Sequence, residues 1–215
     1  MGLFNKKQET EDQIVDRLCG NAGNVVAMFQ HVFDTPAGFD SRRAVIFTSS
    51  LVGFACHQAV KANKESYQLV TTADGRKFYF GDSVNKYLLE STYSTVGSIT
   101  AVTDVPFEEI REIVRKCASV IGEDEGYTLG GYNPQLLYRE TKECWNGIFD
   151  NMIARYCMTP SEWPLLFGIV AQNIVSIALE GGAPKEATGK LSAEVMIYMS
   201  KLDDDSFLTD GEESI

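Results

Sequence analysis

The sequence has few of the residues that metal and redox sites need. Its 215 residues include two histidines, His31 and His57, and five cysteines with no C-x-x-C pair. Structural zinc sites use about four Cys or His ligands, and disulfide frameworks use an even number of cysteines. The sequence therefore predicts no metal site and no disulfides, and it predicts reduced thiols of the kind found in cytoplasmic proteins.

The sequence also lacks the signals of export and membrane insertion. Residues 1–9 contain no apolar run of the secretory type, and Lys6 stands where a myristoylation signal needs Ser or Thr. The most apolar run, Ala44–Val60, is interrupted by Thr48 and His57 and is shorter than the roughly 18 consecutive apolar residues that indicate a span. We expect a flexible N-terminus over residues 1–9, a cytoplasmic location and no membrane span.

Positive charge is scarce relative to negative charge. The chain has 19 Lys and Arg against 30 Asp and Glu, which gives a formal net charge of −11 at pH 7. Nucleic-acid binding depends on clustered basic side chains, so the sequence predicts no nucleic-acid partner. Residues 203–215 contain acids and no base, and we expect them to form a disordered acidic tail. A basic protein partner is compatible with this charge.

Apolar residues recur at three- and four-residue spacing along most of the chain, which predicts helices. The predicted helices cover about residues 10–33, 41–64, 83–90, 105–122, 133–156, 160–179 and 185–202. The helices that begin near residues 41 and 160 are apolar on nearly all sides, so we expect them to be buried. The sequence predicts a single mainly α domain over residues 10–202, an orthogonal or layered bundle of six to seven helices. Residues 91–103 show no assignable pattern.

One segment, residues 67–80, has the pattern of a β-hairpin inserted among the helices. Asp74 and Gly75 indicate a two-residue turn. A turn of that length pairs Thr72 with Lys77 and continues along both strands in the same register. Because an isolated hairpin is marginally stable in water, we expect this one to pack on the helices.

The predicted register gives the hairpin one apolar face and one mixed aromatic and cationic face. The apolar face contains Tyr67, Leu69, Thr71, Phe78 and Phe80. The candidate binding residues are Arg76, Lys77 and Tyr79, which we expect to lie away from the helices. The open strand edges are also available to a second chain, by strand addition or by dimerisation.

His57 is a candidate binding residue outside the hairpin. If the first two helices pack antiparallel across the connection at residues 34–40, His57 lies near Asp16. Such a pair is catalytic in some enzymes and structural in more proteins. His31 would then lie about 20 Å from His57, too far to share a metal or a proton. Tyr132, in a loop with aromatic and amide side chains, is a further candidate for lining a pocket.

No nucleophile, phosphate-binding loop or metal cluster emerges from these patterns, so the sequence predicts no catalytic residue and no cofactor. The leading hypothesis is a non-enzymatic cytoplasmic protein that regulates or antagonises a protein partner. An acidic, immunity-type neutraliser of a toxic enzyme is one concrete form. Two alternatives stay open. One is a small-molecule sensor or enzyme with an interhelical pocket, and the other is a structural subunit of a homo-oligomer such as a homodimer.

Overall fold

Helices make up most of the part of the chain that the computed structural model describes, residues 9–90, 94–122 and 126–207. They are α1 (Glu11–Val32), α2 (Ser41–Ala62), α3 (Asp82–Asn85), α4 (Thr95–Thr103), α5 (Phe107–Val120), α6 (Pro134–Ile148), α7 (Ala154–Tyr156), α8 (Glu162–Glu180) and α9 (Lys185–Met199). Residues 86–90 continue α3 as a π-helical turn, and residues 149–153 join α6 to α7 in the same way.

Four short strands form two antiparallel pairs. These are β1 (Asp34–Thr35) with β2 (Gly38–Phe39), and β3 (Gln68–Thr71) with β4 (Lys77–Phe80). The predicted mainly α bundle with a hairpin near residues 67–80 is confirmed. The β1–β2 pair, between α1 and α2, was not predicted, and neither was α4, which forms within the unassigned residues 91–103.

Side chains near the helix ends explain where several helices begin. Thr10 and Gln13 form a reciprocal capping box at the start of α1. Asp40 accepts a hydrogen bond from the N–H of Arg43 at the start of α2. Asn133 caps α6, whose first residue is a proline. Each cap satisfies a backbone N–H that has no partner within its helix, which is why these ends follow from short stretches of sequence.

The predicted burial of α2 is confirmed, because α8, α9 and α6 surround it. Its buried hydroxyls connect it to these neighbours. Ser49 Oγ lies 2.7 Å from Ser192 Oγ of α9, and Ser50 Oγ lies 2.6 Å from Thr141 Oγ1 of α6. Gly53 lies directly against the end of α9, where a side chain would overlap its backbone. The buried hydroxyls of Ser49 and Ser50 are therefore hydrogen-bonded, as is usual for buried polar groups.

Of the described helices, α8 alone is long and apolar enough to cross a membrane, judged by length and composition. In the structure it packs against α1, α2 and α4. Gly168 of α8 lies in direct contact with Thr95 of α4, so these two helices approach closely. The predicted burial of this helix is confirmed, and its apolar character is explained by its central place in the core.

The chain after α9 folds back onto β4 and is part of the structured body. Residues 204–206 form a 3₁₀ turn, Ser206 is fully buried and Asp203 is 8% exposed. Ser206 Oγ donates a hydrogen bond to the carbonyl of Lys77, so this turn is tied to the hairpin. The prediction that a disordered tail begins at residue 203 is therefore wrong for residues 203–207. Residues 208–215 lie outside the described part of the chain.

The predicted flexible N-terminus falls almost entirely outside the described residues. Glu9 is its one described member, and its carboxylate lies 2.8 Å from the guanidinium of Arg17. The same guanidinium lies 3.1 Å from Glu162 at the start of α8. Arg17 thus connects the beginning of α1 to the beginning of α8.

Candidate functional site

The β3–β4 hairpin has a register that differs by one residue from the prediction. Thr71 pairs with Lys77, whereas the predicted partner of Lys77 is Thr72. The loop has three residues, and Gly75 takes the left-handed conformation at φ +87°. Asp74 accepts a hydrogen bond from the N–H of Arg76, which stabilises the longer loop. The predicted register is wrong because Asp-Gly also suits a three-residue loop with a glycine in the left-handed region.

A shift of one residue changes which side chains share a face. Tyr67, Lys77 and Tyr79 now lie on one side of the hairpin, here called the tyrosine side, where the two tyrosine rings are 5.0 Å apart. Phe78 and Phe80 lie on the other side, here called the phenylalanine side. Phe78 is fully buried and Phe80 is half-buried. Both sides of the hairpin contact the helical body, and Lys77 and Tyr79 of the predicted mixed face are partly buried.

The tyrosine side covers His57. The imidazole is fully buried on α2, and its ring lies 5.3 Å from the ring of Tyr67 and 4.9 Å from that of Tyr79. His57 Nε2 lies 3.2 Å from Asp203 Oδ2, an ion-pair distance, but neither ring nitrogen makes a well-directed hydrogen bond. A side chain enclosed in this way has no access to a substrate.

Asp203 is the acidic centre of this cluster. Its carboxylate lies 2.5 Å from Lys61 Nζ and also accepts a 3.3 Å hydrogen bond from the hydroxyl of Tyr138. Burial alone would raise the pKa of the Asp203 carboxyl, but the close contact with His57 and the hydrogen bond from Lys61 outweigh burial and hold that pKa well below its ordinary value. Asp203 is therefore a paired, ionised carboxylate that ties the C-terminal segment to α2.

Asp205 extends the same arrangement towards the surface. Its carboxylate lies 3.1 Å from Lys77 Nζ and accepts a 2.8 Å hydrogen bond from the Tyr79 hydroxyl. Lys77 and Tyr79, which we predicted to bind a partner, thus bind a segment of their own chain. We call the group of Asp203, Asp205, Lys61, Lys77 and His57 the charged clamp.

Three of the six predicted site residues, His57, Lys77 and Tyr79, meet in or beside the charged clamp. Asp16 does not belong to this group, because it is exposed on α1 and the ion-pair partner of His57 is Asp203. The predicted pairing of Asp16 with His57 is wrong. Its physical cause is helix packing: α1 lies principally on α8 and meets α2 mainly through aromatic contacts near their connected ends.

The other two predicted residues, Arg76 and Tyr132, lie apart from the clamp. Arg76 donates a 2.8 Å hydrogen bond to the carbonyl of Gly122, just beyond α5. Tyr132 belongs to a loop that the start of α2 holds, through a 3.0 Å hydrogen bond from Arg42 to the carbonyl of Gly130. At about 1.5 Å of rise per residue, this end of α2 is roughly 20 Å from His57.

The phenylalanine side closes a cavity between the hairpin, α3, α5 and the end of α9. Its volume is about 210 Å³. The lining is Gln68, Phe80, Gly81, Asp82, Asn85, Leu88, Leu89, Val114, Cys117, Ala118, Ile121, Ile197 and Lys201. The walls are mainly apolar, and their polar groups include two amides, the Asp82 carboxylate and the Lys201 ammonium. We call this space the Lys201 cavity.

Lys201 is the one lysine in the cavity wall and is 5% exposed. Its Nζ lies 3.1 Å from Asn85 Oδ1 and 5.8 Å from the centre of the Phe80 ring. In the described part of the chain, no carboxylate oxygen lies within 4.0 Å of this nitrogen. Burial lowers the pKa of the Lys201 amine to about 8.

Sequence reasoning did not identify Lys201 as a site residue. It lies two residues before the acidic run at 203–205, a position that suggests a surface lysine with neighbouring carboxylates. In the structure these carboxylates turn to Lys61, Lys77 and Lys142 instead. The one available signal is that Lys201 continues the apolar pattern of α9, which indicates an inward position.

Within residues 9–90, 94–122 and 126–207, no strand pairs with the outer edge of β3. Tyr79 N–H donates a 3.0 Å hydrogen bond to the carbonyl of Lys201, away from β3. Leu69 faces Tyr79 across the hairpin, and in an antiparallel pair two facing residues either both point their backbone groups towards each other or both point them away. The N–H and C=O groups of Leu69 therefore point away from β4. The same direction recurs two residues later, at Thr71. All four residues of β3 are exposed, and Leu69 and Val70 are about half exposed, at 51% and 49%.

No three His, Cys, Asp or Glu side chains converge as a metal site would require within residues 9–90, 94–122 and 126–207. Comparison with protein-family models gives no match, and comparisons with curated proteins and with solved structures give no significant match. The chemistry of the site is therefore argued from its own geometry.

Proposed function

We propose that this chain is a binding protein that takes an extended segment of a protein partner as an added strand beside β3. The observation that supports this proposal is the unpaired outer edge of β3, where the backbone groups of Leu69 and Thr71 face away from the hairpin. An added strand pairs with such groups through main-chain hydrogen bonds.

The composition of β3 supports the same proposal. Native proteins commonly protect an exposed strand edge with lysine, proline or a bulge. β3 has the sequence Gln-Leu-Val-Thr, which contains none of these devices, and two of its side chains are large, apolar and half exposed. Leu69 and Val70 therefore offer apolar contacts on both sides of an incoming strand.

The structure changes the residues to which this function is assigned. The charged clamp occupies Lys77 and Tyr79, so the recognition surface is the edge of β3 and not the polar face of the hairpin. The net charge of −11 favours a basic partner segment.

The experiment is affinity purification from native lysate with the wild type, Leu69→Lys and Val32→Lys. Val32 is 61% exposed on α1, far from the hairpin in sequence, so its variant adds the same charge to another apolar surface position. We expect a partner that the wild type and Val32→Lys retain and Leu69→Lys loses. Cross-links of that partner should map to residues 68–71.

Equal retention by Leu69→Lys, or cross-links confined to another surface, would refute strand addition at β3. Size-exclusion chromatography with light scattering identifies the other occupant of this edge, a second copy of the same chain. A dimer that Leu69→Lys converts to monomer would replace the proposed partner with homodimerisation.

A further inference from the structure

The ammonium group of Lys201 is buried and has no carboxylate partner among the described residues. An ammonium group removed from water is costly unless an anion or several hydrogen bonds compensate it. The ammonium group of Lys201 makes one hydrogen bond, to Asn85, and no carboxylate of the described residues lies within ion-pair distance of it. By contrast, Lys61, which is more exposed, has Asp203 at 2.5 Å.

The ionisable groups around Lys201 do not supply the missing negative charge. Burial raises the pKa of the Cys117 thiol to about 12 and raises that of Cys56 as well, so both thiols are neutral near pH 7. Asp82 lines the same cavity, but it is exposed and lies beyond ion-pair distance from Lys201 Nζ. Asp203, two residues further along the chain, is engaged by Lys61 and His57.

The Lys201 cavity has the size and lining of a site for a small organic anion. Its volume of about 210 Å³ is much larger than the roughly 10–15 Å³ that a single buried water requires. Drug-sized ligands occupy larger pockets, of about 300–1,000 Å³. Leu88, Val114 and Ile197 are among the apolar wall residues, which suit a hydrocarbon body better than a hydrated inorganic ion.

We infer that the Lys201 cavity binds a small monocarboxylate, with the carboxylate on the Lys201 ammonium and the apolar body against Leu88, Val114 and Ile197. One cation matches one negative charge, whereas a phosphate dianion needs more donors than this wall provides. The amides of Asn85 and Gln68, which also line the cavity, supply additional hydrogen-bonding groups. Gln68 belongs to β3, but the proposed binding at Lys201 does not depend on a protein partner at the β3 edge.

The first experiment measures the binding of valerate by calorimetry and by thermal unfolding of the full chain at pH 7. Valerate has a carboxylate and a four-carbon tail. The matched probes are valeramide, which is uncharged, acetate, which has almost no apolar body, and inorganic phosphate. We expect valerate to bind and raise the melting temperature, and the three other probes to bind at least tenfold more weakly. Equal binding of valeramide or phosphate, or no binding of valerate, would overturn the inference.

The second experiment uses Lys201→Met, with Lys185→Met as its control. Methionine has a similar length and no charge, so it fills the buried position without an unpaired ammonium, and we expect the variant to fold. Lys185 pairs with Asp104 on the surface. We expect Lys201→Met to weaken valerate binding by roughly tenfold to a hundredfold, as the loss of a charge-assisted hydrogen bond implies, and Lys185→Met to bind as the wild type does.

A pH series distinguishes an ammonium site from a general apolar pocket. Valerate stays ionised above neutrality, so its affinity for the wild type should fall as pH rises through about 8, where the Lys201 amine loses its proton. The weak residual binding of Lys201→Met should show no such fall. If valerate bound the wild type equally at pH 7 and pH 10, the role assigned to Lys201 would be refuted. The strand-addition proposal would stand in either case, because its readout is partner retention at β3.

Discussion

The two sides of the β3–β4 hairpin cover charged groups in opposite ways. On the tyrosine side, the carboxylates of Asp203 and Asp205 each contact a lysine. On the phenylalanine side, Lys201 is more deeply buried, and its ammonium group has an amide oxygen, an aromatic ring and neutral thiols as neighbours but no carboxylate of the described residues within ion-pair distance. Paired charges hold segments together, whereas a buried charge without an oppositely charged partner weakens the fold. The comparison separates a structural cluster from a candidate site.

The largest effect should come from Asp203→Ala, which removes the acid at the centre of the charged clamp. The change leaves buried His57 without its carboxylate and releases the turn at residues 204–206. Breaking a buried ion pair from one side costs about 3–5 kcal/mol. We expect the free energy of unfolding, measured by urea denaturation at pH 7, to fall by about 3 kcal/mol. A change below about 1 kcal/mol would contradict the structural role of the clamp.

The pH dependence of the stability lost in Asp203→Ala tests whether the stabilising group is the ionised Asp203 carboxylate. The folded-state pKa of Asp203 lies below its ordinary value of 3.8. Its contribution to stability is therefore fully present above about pH 4 and is lost as pH falls towards the folded-state pKa. The stability difference between the wild type and Asp203→Ala should narrow as the solution is acidified. A difference that stayed constant between pH 7 and pH 3 would mean that the lost stabilisation was not ionic.

The next largest effect should be an increase in the free energy of unfolding, in Lys201→Met measured without ligand. The fall of the pKa from 10.5 to about 8 corresponds to roughly 3 kcal/mol at about 1.4 kcal/mol per pH unit. The variant also loses the hydrogen bond to Asn85, which offsets part of this gain. We therefore expect the variant to be more stable than the wild type by roughly 1–3 kcal/mol at pH 7. Urea denaturation checks this, and a clear loss of stability would show that Lys201 is already well compensated.

The advantage of Lys201→Met should diminish at high pH. Unfolded lysine keeps its proton up to about pH 10.5, whereas Lys201 in the folded chain releases it near pH 8. Between these values the unfolded state binds more protons, so wild-type stability rises relative to the variant. The gap between the two unfolding free energies should therefore shrink from pH 8 to pH 10.5. Lys185→Met should show no such change.

A smaller effect is expected for Asp205→Ala, at the outer part of the charged clamp. The side chains of Asp205 and Lys77 are 39% and 44% exposed, so water and salt screen their interaction. Exposed pairs contribute about 0–1 kcal/mol. We expect urea denaturation to show a loss within that range. A loss as large as that of Asp203→Ala would mean that the clamp acts as one unit and that depth of burial does not rank its members.

The smallest effect on stability should come from Leu69→Lys. Leu69 is 51% exposed and its backbone groups point away from β4, so the change removes little buried surface. We expect the free energy of unfolding to change by less than about 0.5 kcal/mol, as for ordinary surface positions. Thermal unfolding checks this, and it also validates the use of this variant in the partner assay. A larger loss would show that Leu69 packs on the body and that β3 is not a free edge.

The candidate site was only partly predictable from sequence. His57 and Tyr79 could be singled out from sequence, because a histidine in an apolar helix and a tyrosine in a hairpin are locally recognisable. Their partners, Asp203 for His57 and Asp205 for Tyr79, were not predicted, because both are distant in the chain and lie in a run whose composition suggests disorder. The sequence does not single out Lys201, because the same acidic run follows it closely, and only the structure shows that these carboxylates contact Lys61, Lys77 and Lys142.

The sequence by itself determined the helices, several of their caps and the existence of the hairpin, because spacing and end signals act over a few residues. Tertiary structure alone decided the one-residue register of β3 on β4, the turn of residues 203–207 onto β4, and the isolation of Lys201. These depend on which distant segments meet, and electrostatic energy depends on the distance between charges and on their removal from water. The composition gives the number of charged side chains, and only the tertiary structure shows which of them lie near an opposite charge.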